Sequence, residues 1–263
     1  MKLFVVHKDT IIIYALVFVA LFGVIALNYD TTVSVFESAT GKKDLPIYCV
    51  DKGEEKVCAI SFDAAWGNED TDELIKILDK YNVKTTFFVV GAWVDKYPES
   101  VKKLFDAGHE VMNHSNSHPH YTKLSTEKII EETNECNKKI ESVTGVKPIL
   151  FRPPYGDYNN KVVGAIREMG MYTIQWDVDS LDWKDLKSEE ITDRVVKNVK
   201  PGSIVLFHNA AKNTPSALPK ILETLINDGY KIVPVSNLIY RDEFTINHEG
   251  RQILKPSEQL SLE

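Results

Sequence analysis

The sequence predicts an α/β protein: a compact (β/α) barrel with one strand fewer than the usual eight, with an open doubly wound sheet as the alternative. Three observations carry this. Short runs rich in β-branched and aromatic residues recur at about 57–62, 84–90, 109–112, 148–151, 172–177, 203–207 and 231–235. Helical patterns lie between them, at about 70–81, 98–107, 125–143, 159–169, 188–198 and 215–228. Gly108, Gly145, Gly170 and Gly229 each close a helical pattern, the position where a left-handed residue ends a helix. Strands alternating with helices make parallel βαβ units. Alternation alone does not choose between a closed barrel and an open sheet.

Taken from the N-terminus, residues 10–27 (TIIIYALVFVALFGVIAL) are an uncharged stretch of 18 residues. A spanning helix needs roughly 17–25 apolar residues. Lys2 and Lys8 precede the stretch, and Asp30 and Glu37 follow it. The positive side stays inside, so the expectation is a cytoplasmic stub (1–9), a membrane anchor (10–27) and an extracytoplasmic remainder. A cleaved signal peptide and a core helix are the alternatives; Ala26-Leu27-Asn28 is a poor cleavage site. Residues 28–54 read as a linker, 55–240 as the folded domain and 241–263 as a polar appendage. Within the domain, Asp70 three before Glu73 has capping-box spacing. Thr214-Pro215 places a cap before a proline at the first helical position.

The totals exclude some classes. A formal charge of −7 with no basic block argues against a nucleic-acid partner. The three cysteines, Cys49, Cys58 and Cys136, do not describe a disulfide scaffold or a zinc spacing. Cys49 and Cys58 flank a hairpin-like stretch around Gly53. They face each other and bridge in one reading, and are unrelated thiols in the other.

In either fold, ligands bind at the carboxyl ends of the strands. There the chain delivers Asp63, then Asn113 through His118, Arg152 through Gly156, Asp177 through Trp183, and His208-Asn209. Acids, imidazoles and a guanidinium therefore gather on one rim, as in a catalytic site. His114 and His118 are four apart, a spacing that lets two imidazoles meet one metal ion. Arg152 precedes two prolines, which stiffen the loop that would hold it against a carboxylate. His208 ends an apolar strand; a neighbouring carboxylate, for which Asp182 is the candidate, would raise its pKa and keep it protonated. His109 reads as structural and His120 as exposed.

Five motifs in order, SFDAAWG, HSNSH, RPPYG, DSLDW and LFH, resemble the polysaccharide deacetylase (NodB-homology) family over about residues 55–240. The membrane segment and F-D-x-x-W-G are similar to its sporulation-associated branch. The resemblance implies a distorted seven- or eight-stranded (β/α) barrel that removes acetyl groups from N-acetylated amino sugars with a divalent metal, zinc first, or cobalt, nickel, manganese or iron. It implies His114 and His118 as metal ligands, Asp63 as general base and Arg152 as the residue that positions it. It implies Tyr155 as the backbone donor to the oxyanion and His208 as general acid tuned by Asp182. Trp183 and Leu206 would wall the acetyl pocket. The substrate implied is a cell-wall or spore-cortex glycan outside the membrane.

One position departs from the family's pattern. The first motif is usually F-D-D, and its second acid is the third metal ligand; here it is Ala64. Asn68, Glu69 or Asp70 would have to substitute, or Asp63 move onto the ion, or the ion be held weakly. The competing expectation is a glycan-binding module without turnover, keeping Trp66, Trp93, Tyr155 and Trp183.

Overall fold

The computed structural model describes residues 43–255. The expected stub, the anchor at 10–27 and most of the linker lie outside them, as does the end of the appendage. Among the described residues, no helix is long and apolar enough to cross a membrane.

The core is a parallel sheet of short strands. In chain order these are β2 (Val57–Ala64), β3 (Thr86–Val89), β4 (Glu110–Asn113), β5 (Leu150–Phe151), β6 (Tyr172–Thr173), β7 (Val178–Asp179), β8 (Ile204–His208) and β9 (Lys231–Ile232). Their spatial order is β6-β5-β4-β3-β2-β8-β7, with β9 alongside the start of β2. Eight residues of β2 are buried from end to end, as expected for a parallel strand covered on both faces. Phe62 stacks between Phe87 and Phe207, and each such buried side chain contributes roughly 1.5–3 kcal/mol. Helices α1 (Thr71–Lys80), α2 (Gly91–Lys96), α3 (Pro98–Asp106), α4 (Thr126–Thr144), α5 (Asn160–Glu168), α6 (Ser188–Asn198), α7 (Thr214–Asn227) and α8 (Val235–Leu238) connect the strands.

The barrel is not closed by its own strands, because β6 and β7 do not pair. The expected strand 172–177 stops at Thr173, and the next strand, β7, begins only at Val178. Gln175 N–H turns to Ile47 O (2.7 Å), and the Asp177 carboxylate accepts from Ser203 Oγ and Ile204 N–H, each at 2.8 Å. Residues 47–50 fill this gap. Ile47 bridges Ile174, and Cys49 bridges Ser203. Strand β1 (Cys49–Val50) also pairs with β11 (Arg251–Leu254), which pairs in turn with β10 (Phe244–Ile246).

The folded unit therefore begins at Asp44 rather than at 55, and residues 244–254 belong to a sheet. The expected linker and appendage are shorter than the sequence suggested. Both segments were hidden because their strands are short, two residues in β1, three in β10 and four in β11, and lie among polar residues. Cys49 and Cys58 are free and buried. The start of β8 lies between them, because Ser203 bridges Cys49 and its carbonyl accepts from Ala59 N–H. Two strand spacings, about 10 Å, exceed the reach of a disulfide.

Candidate active site

The strand alternation of β2 aims Ser61 and Asp63 at the same face while Phe62 points into the aromatic stack. Asp63 meets Arg152, which follows β5 and is fully buried. The guanidinium donates from Nη1 to Asp63 Oδ1 (2.8 Å) and from Nη2 to Ser61 Oγ (2.8 Å) and Gln175 O (3.3 Å). Its plane lies over the Phe88 ring at 4.1 Å. Burial alone would push the Asp63 pKa up. The Arg152 cation, with His114 and His208 adding, outweighs it and holds Asp63 below the usual carboxylate value.

His114 follows β4. Its Nδ1 lies 2.7 Å from Arg152 O; a carbonyl only accepts, so Nδ1 carries the proton and Nε2 keeps its lone pair. Nε2 faces Asp63 Oδ2 at 3.5 Å. The His118 ring is 5.0 Å from that of His114, centre to centre. Burial lowers the pKa of both imidazoles, that of His118 to about 4, with His114 as its second cause. Both are neutral and able to donate lone pairs near pH 7.

The loop that carries them accounts for every backbone N–H from 114 to 118. His114 N–H goes to Val89 O and Ser115 N–H to Asn113 Oδ1. Asn116 and Ser117 N–H go to Glu132 Oε2, and His118 N–H to Ser115 Oγ. Ser115 and His118 both have positive φ, a strained state for residues with a Cβ, which this bonding holds.

Across the rim, Asp182 is fully buried. Its Oδ1 accepts from His208 Nδ1 (2.8 Å), and Oδ2 accepts from His208 N–H (2.8 Å) and Thr214 Oγ1 (2.7 Å). Burial would push the His208 pKa down, but the Asp182 bond and charge, followed by Asp63, raise it above the ordinary imidazole value. Thr214 is thus spent on Asp182 rather than on capping α7.

Trp66, Tyr155 and Trp183 are exposed on the rim, at 54%, 63% and 55%. Tyr155 sits at positive φ. Its ring meets His118 edge-on at 4.5 Å and stacks on His120 at 4.4 Å. His120 is exposed, as expected, and its ring covers that of Tyr155; its Nδ1 lies 3.5 Å from Asp157. Trp93, expected in a glycan groove, is buried in the core and donates from Nε1 to Gly67 O. Leu206 is buried on β8 opposite Ser61, two residues below His208. His109 is buried at the start of β4 with Nδ1 on Thr85 N–H, a structural placement.

A divalent ion would be held by His114 and His118. The Nδ1–H···O=C bond that orients His114 is the usual support for a metal-binding imidazole. Among the described residues the nearest carboxylate to them is that of Asp63, whose Oδ2 lies 3.5 Å from His114 Nε2 while Oδ1 accepts from Arg152; the usual third ligand position gives no donor. Ala64 is fully buried in the core. Asn68 Nδ2 donates to Ser100 Oγ, Glu69 accepts from Asn68 N–H, and Asp70 Oδ2 accepts from Ala210 N–H. Asp70 makes no side-chain cap on α1, and its Oδ1 is buried without a partner among the described residues. Among the described residues, no group of three or more His, Cys, Asp or Glu side chains is arranged to hold an ion.

Glu132, Asn113 and Ser61 were given no role of their own from sequence, and Thr214 only that of a helix cap. Glu132 lies on the buried face of α4 with Ile129, Thr133 and Cys136, where helical periodicity marks it only as an interruption.

The profile of the family described as Polysaccharide deacetylase matches residues 51–174. The chain is 37% identical over 184 residues to the peptidoglycan-N-acetylmuramic acid deacetylase PdaC of Bacillus subtilis, covering 70% of this chain and 39% of that protein. It is 37% identical over 190 residues to a peptidoglycan-N-acetylglucosamine deacetylase of Bacillus cereus, covering 70% of this chain and 89% of that one. The match thus spans about two-fifths of PdaC but most of the Bacillus cereus protein. Among solved structures, BA3943 of Bacillus anthracis, described as a CE4 family pseudoenzyme, superposes with a TM-score of 0.72 at 35% identity, covering 74% of this chain and 69% of that one. A mutant of BA3943 is described as having restored enzymatic activity.

Proposed function

The chain belongs to the polysaccharide deacetylase family, and on that premise we propose that it is a metal-dependent hydrolase removing N-acetyl groups from amino sugars of a cell-wall or spore-cortex glycan. The carrying observation is a pair of oppositely tuned groups on one rim. Arg152 holds Asp63 below the usual carboxylate value, and Asp182 raises His208 above the ordinary imidazole value. A base and an acid whose environments push them apart are what amide hydrolysis at neutral pH needs.

Asp63 takes a proton from the attacking water, and Arg152 keeps the carboxylate aimed and charged. The backbone N–H of Tyr155 donates to the oxygen that gains charge. His208 bonds Asp182 through Nδ1, so Nε2 is the atom that gives a proton to the departing amine. Trp183 and Leu206 exclude water beside the acetyl methyl. A divalent ion, zinc first, held by His114 and His118, would supply a more acidic water and polarise the carbonyl.

Residues 10–27 anchor this domain on the outer side of the membrane, which suits a wall polymer; the apolar length and the flanking charges support that placement.

A second reading, a tethered glycan-binding protein without turnover, is favoured by Ala64 and by the likeness to a pseudoenzyme. It keeps Trp66, Tyr155 and Trp183 as its binding surface. Acetate release from peptidoglycan and from N-acetylglucosamine oligomers, measured with and without chelator and alongside bound metal, separates the two. Chelator-sensitive release supports the hydrolase. Glycan binding with no release at any metal concentration sinks it.

A further inference from the structure

Helix α4 carries a buried carboxylate that the catalytic scheme does not use. Glu132 is 6% exposed and makes no ion pair among the described residues. Its charge is met by the loop that follows β4. Oε2 accepts from Ser117 N–H (2.9 Å) and Asn116 N–H (3.2 Å), and Oε1 from Ser117 Oγ (2.8 Å). A buried carboxylate is retained only where donors compensate its lost hydration, and here the donors all lie between His114 and His118.

The same loop is pinned from its other side. Gly91 N–H and Ala92 N–H donate to Ser115 O and Asn116 O, each at 2.9 Å. A Cβ on Gly91 would stand 2.4 Å from Asn116 Oδ1, so the loop lies directly on the start of α2. Carbonyls thus point toward α2 and N–H groups toward α4. This opposed bonding fixes the positive-φ turn at Ser115 and His118, and that turn sets the spacing of the two imidazoles.

We propose that Glu132 is a positioning residue: it holds the loop so that His114 and His118 converge on one divalent ion. The inference rests on the reading that this pair binds the ion. In this reading the two imidazoles are the ligands, so affinity depends directly on their spacing.

The test compares wild type, Glu132→Gln and Glu131→Gln in the full chain. Glu131 is the exposed neighbour paired with Lys128 (2.7 Å). Glu132→Gln turns one acceptor into an N–H2 group facing loop donors. Zinc affinity is read by competition with a chromophoric chelator, and amide exchange at Asn116 and Ser117 in the zinc-free protein. Glu132→Gln should weaken zinc binding about 10–100-fold, the usual effect of losing such support, and speed exchange at those two amides. Glu131→Gln should change neither. Equal zinc affinity in wild type and Glu132→Gln overturns the proposal. No zinc binding by wild type itself overturns the ion-binding reading and the proposal together, and is visible without any variant. If Glu132→Gln does not fold, Ser117→Ala removes one donor and leaves the two N–H bonds; it should weaken zinc binding by a smaller factor, and unchanged affinity there also overturns the proposal.

Discussion

Arg152→Met keeps much of the buried volume and removes the cation that Asp63 faces. Three interactions go with the guanidinium: those to Asp63, Ser61 and Gln175. Removing one partner of a buried ion pair costs about 3–5 kcal/mol, because the other charge is left without hydration or partner. Whole domains are stable by only about 5–15 kcal/mol. At roughly 2–4 °C per kcal/mol for a chain of this size, the melting temperature falls by roughly 6–20 °C.

The pH dependence carries a sign. In the native chain Asp63 is held low by Arg152 despite burial, so its stabilisation is present above the unfolded carboxylate value near ~3.9 and lost as pH falls through the lower folded value. Without Arg152, burial wins and the folded pKa rises. The variant is then penalised increasingly as pH climbs above the unfolded value. Urea unfolding at pH 7 and pH 4 reads this, with Asp63→Asn added as the second arm of a cycle. The deficit of Arg152→Met should be larger at pH 7, and the double variant more stable than the sum of the singles predicts. A deficit equal at both pH values and additive with Asp63→Asn would refute the reasoning.

Asp182→Asn removes the charge that raises His208. An NMR titration of His208 should then find its midpoint below the ordinary ~6.5 instead of above it; the stabilisation of the native pair is present at lower pH and lost as pH rises through the raised folded value. Ala64→Asp should lower the melting temperature of the zinc-free protein, since an unpaired buried charge costs about 3–5 kcal/mol. At one zinc concentration, about 100 times the variant's Kd, zinc should return about 2.7 kcal/mol to the variant and less to the weaker-binding wild type; equal shifts at that concentration would mean residue 64 does not reach the ion. Gly202→Ala places a Cβ 1.7 Å from Val50 O at φ +83° and should cost roughly 3 kcal/mol or more. An unchanged thermal unfolding curve would mean residues 47–50 do not close the barrel.

The alternation of strands and helices, and the gathering of chemistry at one rim, were legible because both are written locally. β2 is apolar apart from Ser61 and Asp63, and each motif lies at or just after the end of its own strand. What stayed hidden depends on partners distant in sequence. Residues 47–50 become strand only by meeting Ile174, Ser203 and Arg251. Trp93 reads like a rim aromatic beside Gly91, yet its indole is drawn into the core by Gly67 O. α2 was missed because it is a six-residue helix with no side-chain cap. Glu132 lies 16 residues from Asn116, whose N–H it accepts, and helical periodicity marks it only as an interruption of an apolar face. Asp70 and Thr214 carried sound capping signals, but their side chains bond Ala210 N–H and Asp182.

The short seam at residues 47–50 is stitched to two sheets at once. Ile47 N–H bonds Thr173 O and Val50 N–H bonds Gly202 O on one side, while Tyr48 N–H bonds Gly250 O and Asp51 N–H bonds Gln252 O on the other. With Gln175 N–H on Ile47 O, a pull on the chain from its N-terminal side is therefore resisted by five bonds spread along the segment and loaded mostly together, as a lap joint is loaded, rather than peeled one at a time. The first element to give under such tension would be the one that shuts the barrel between β6 and β8, so traction on this domain would open its wall before it disturbed the rim.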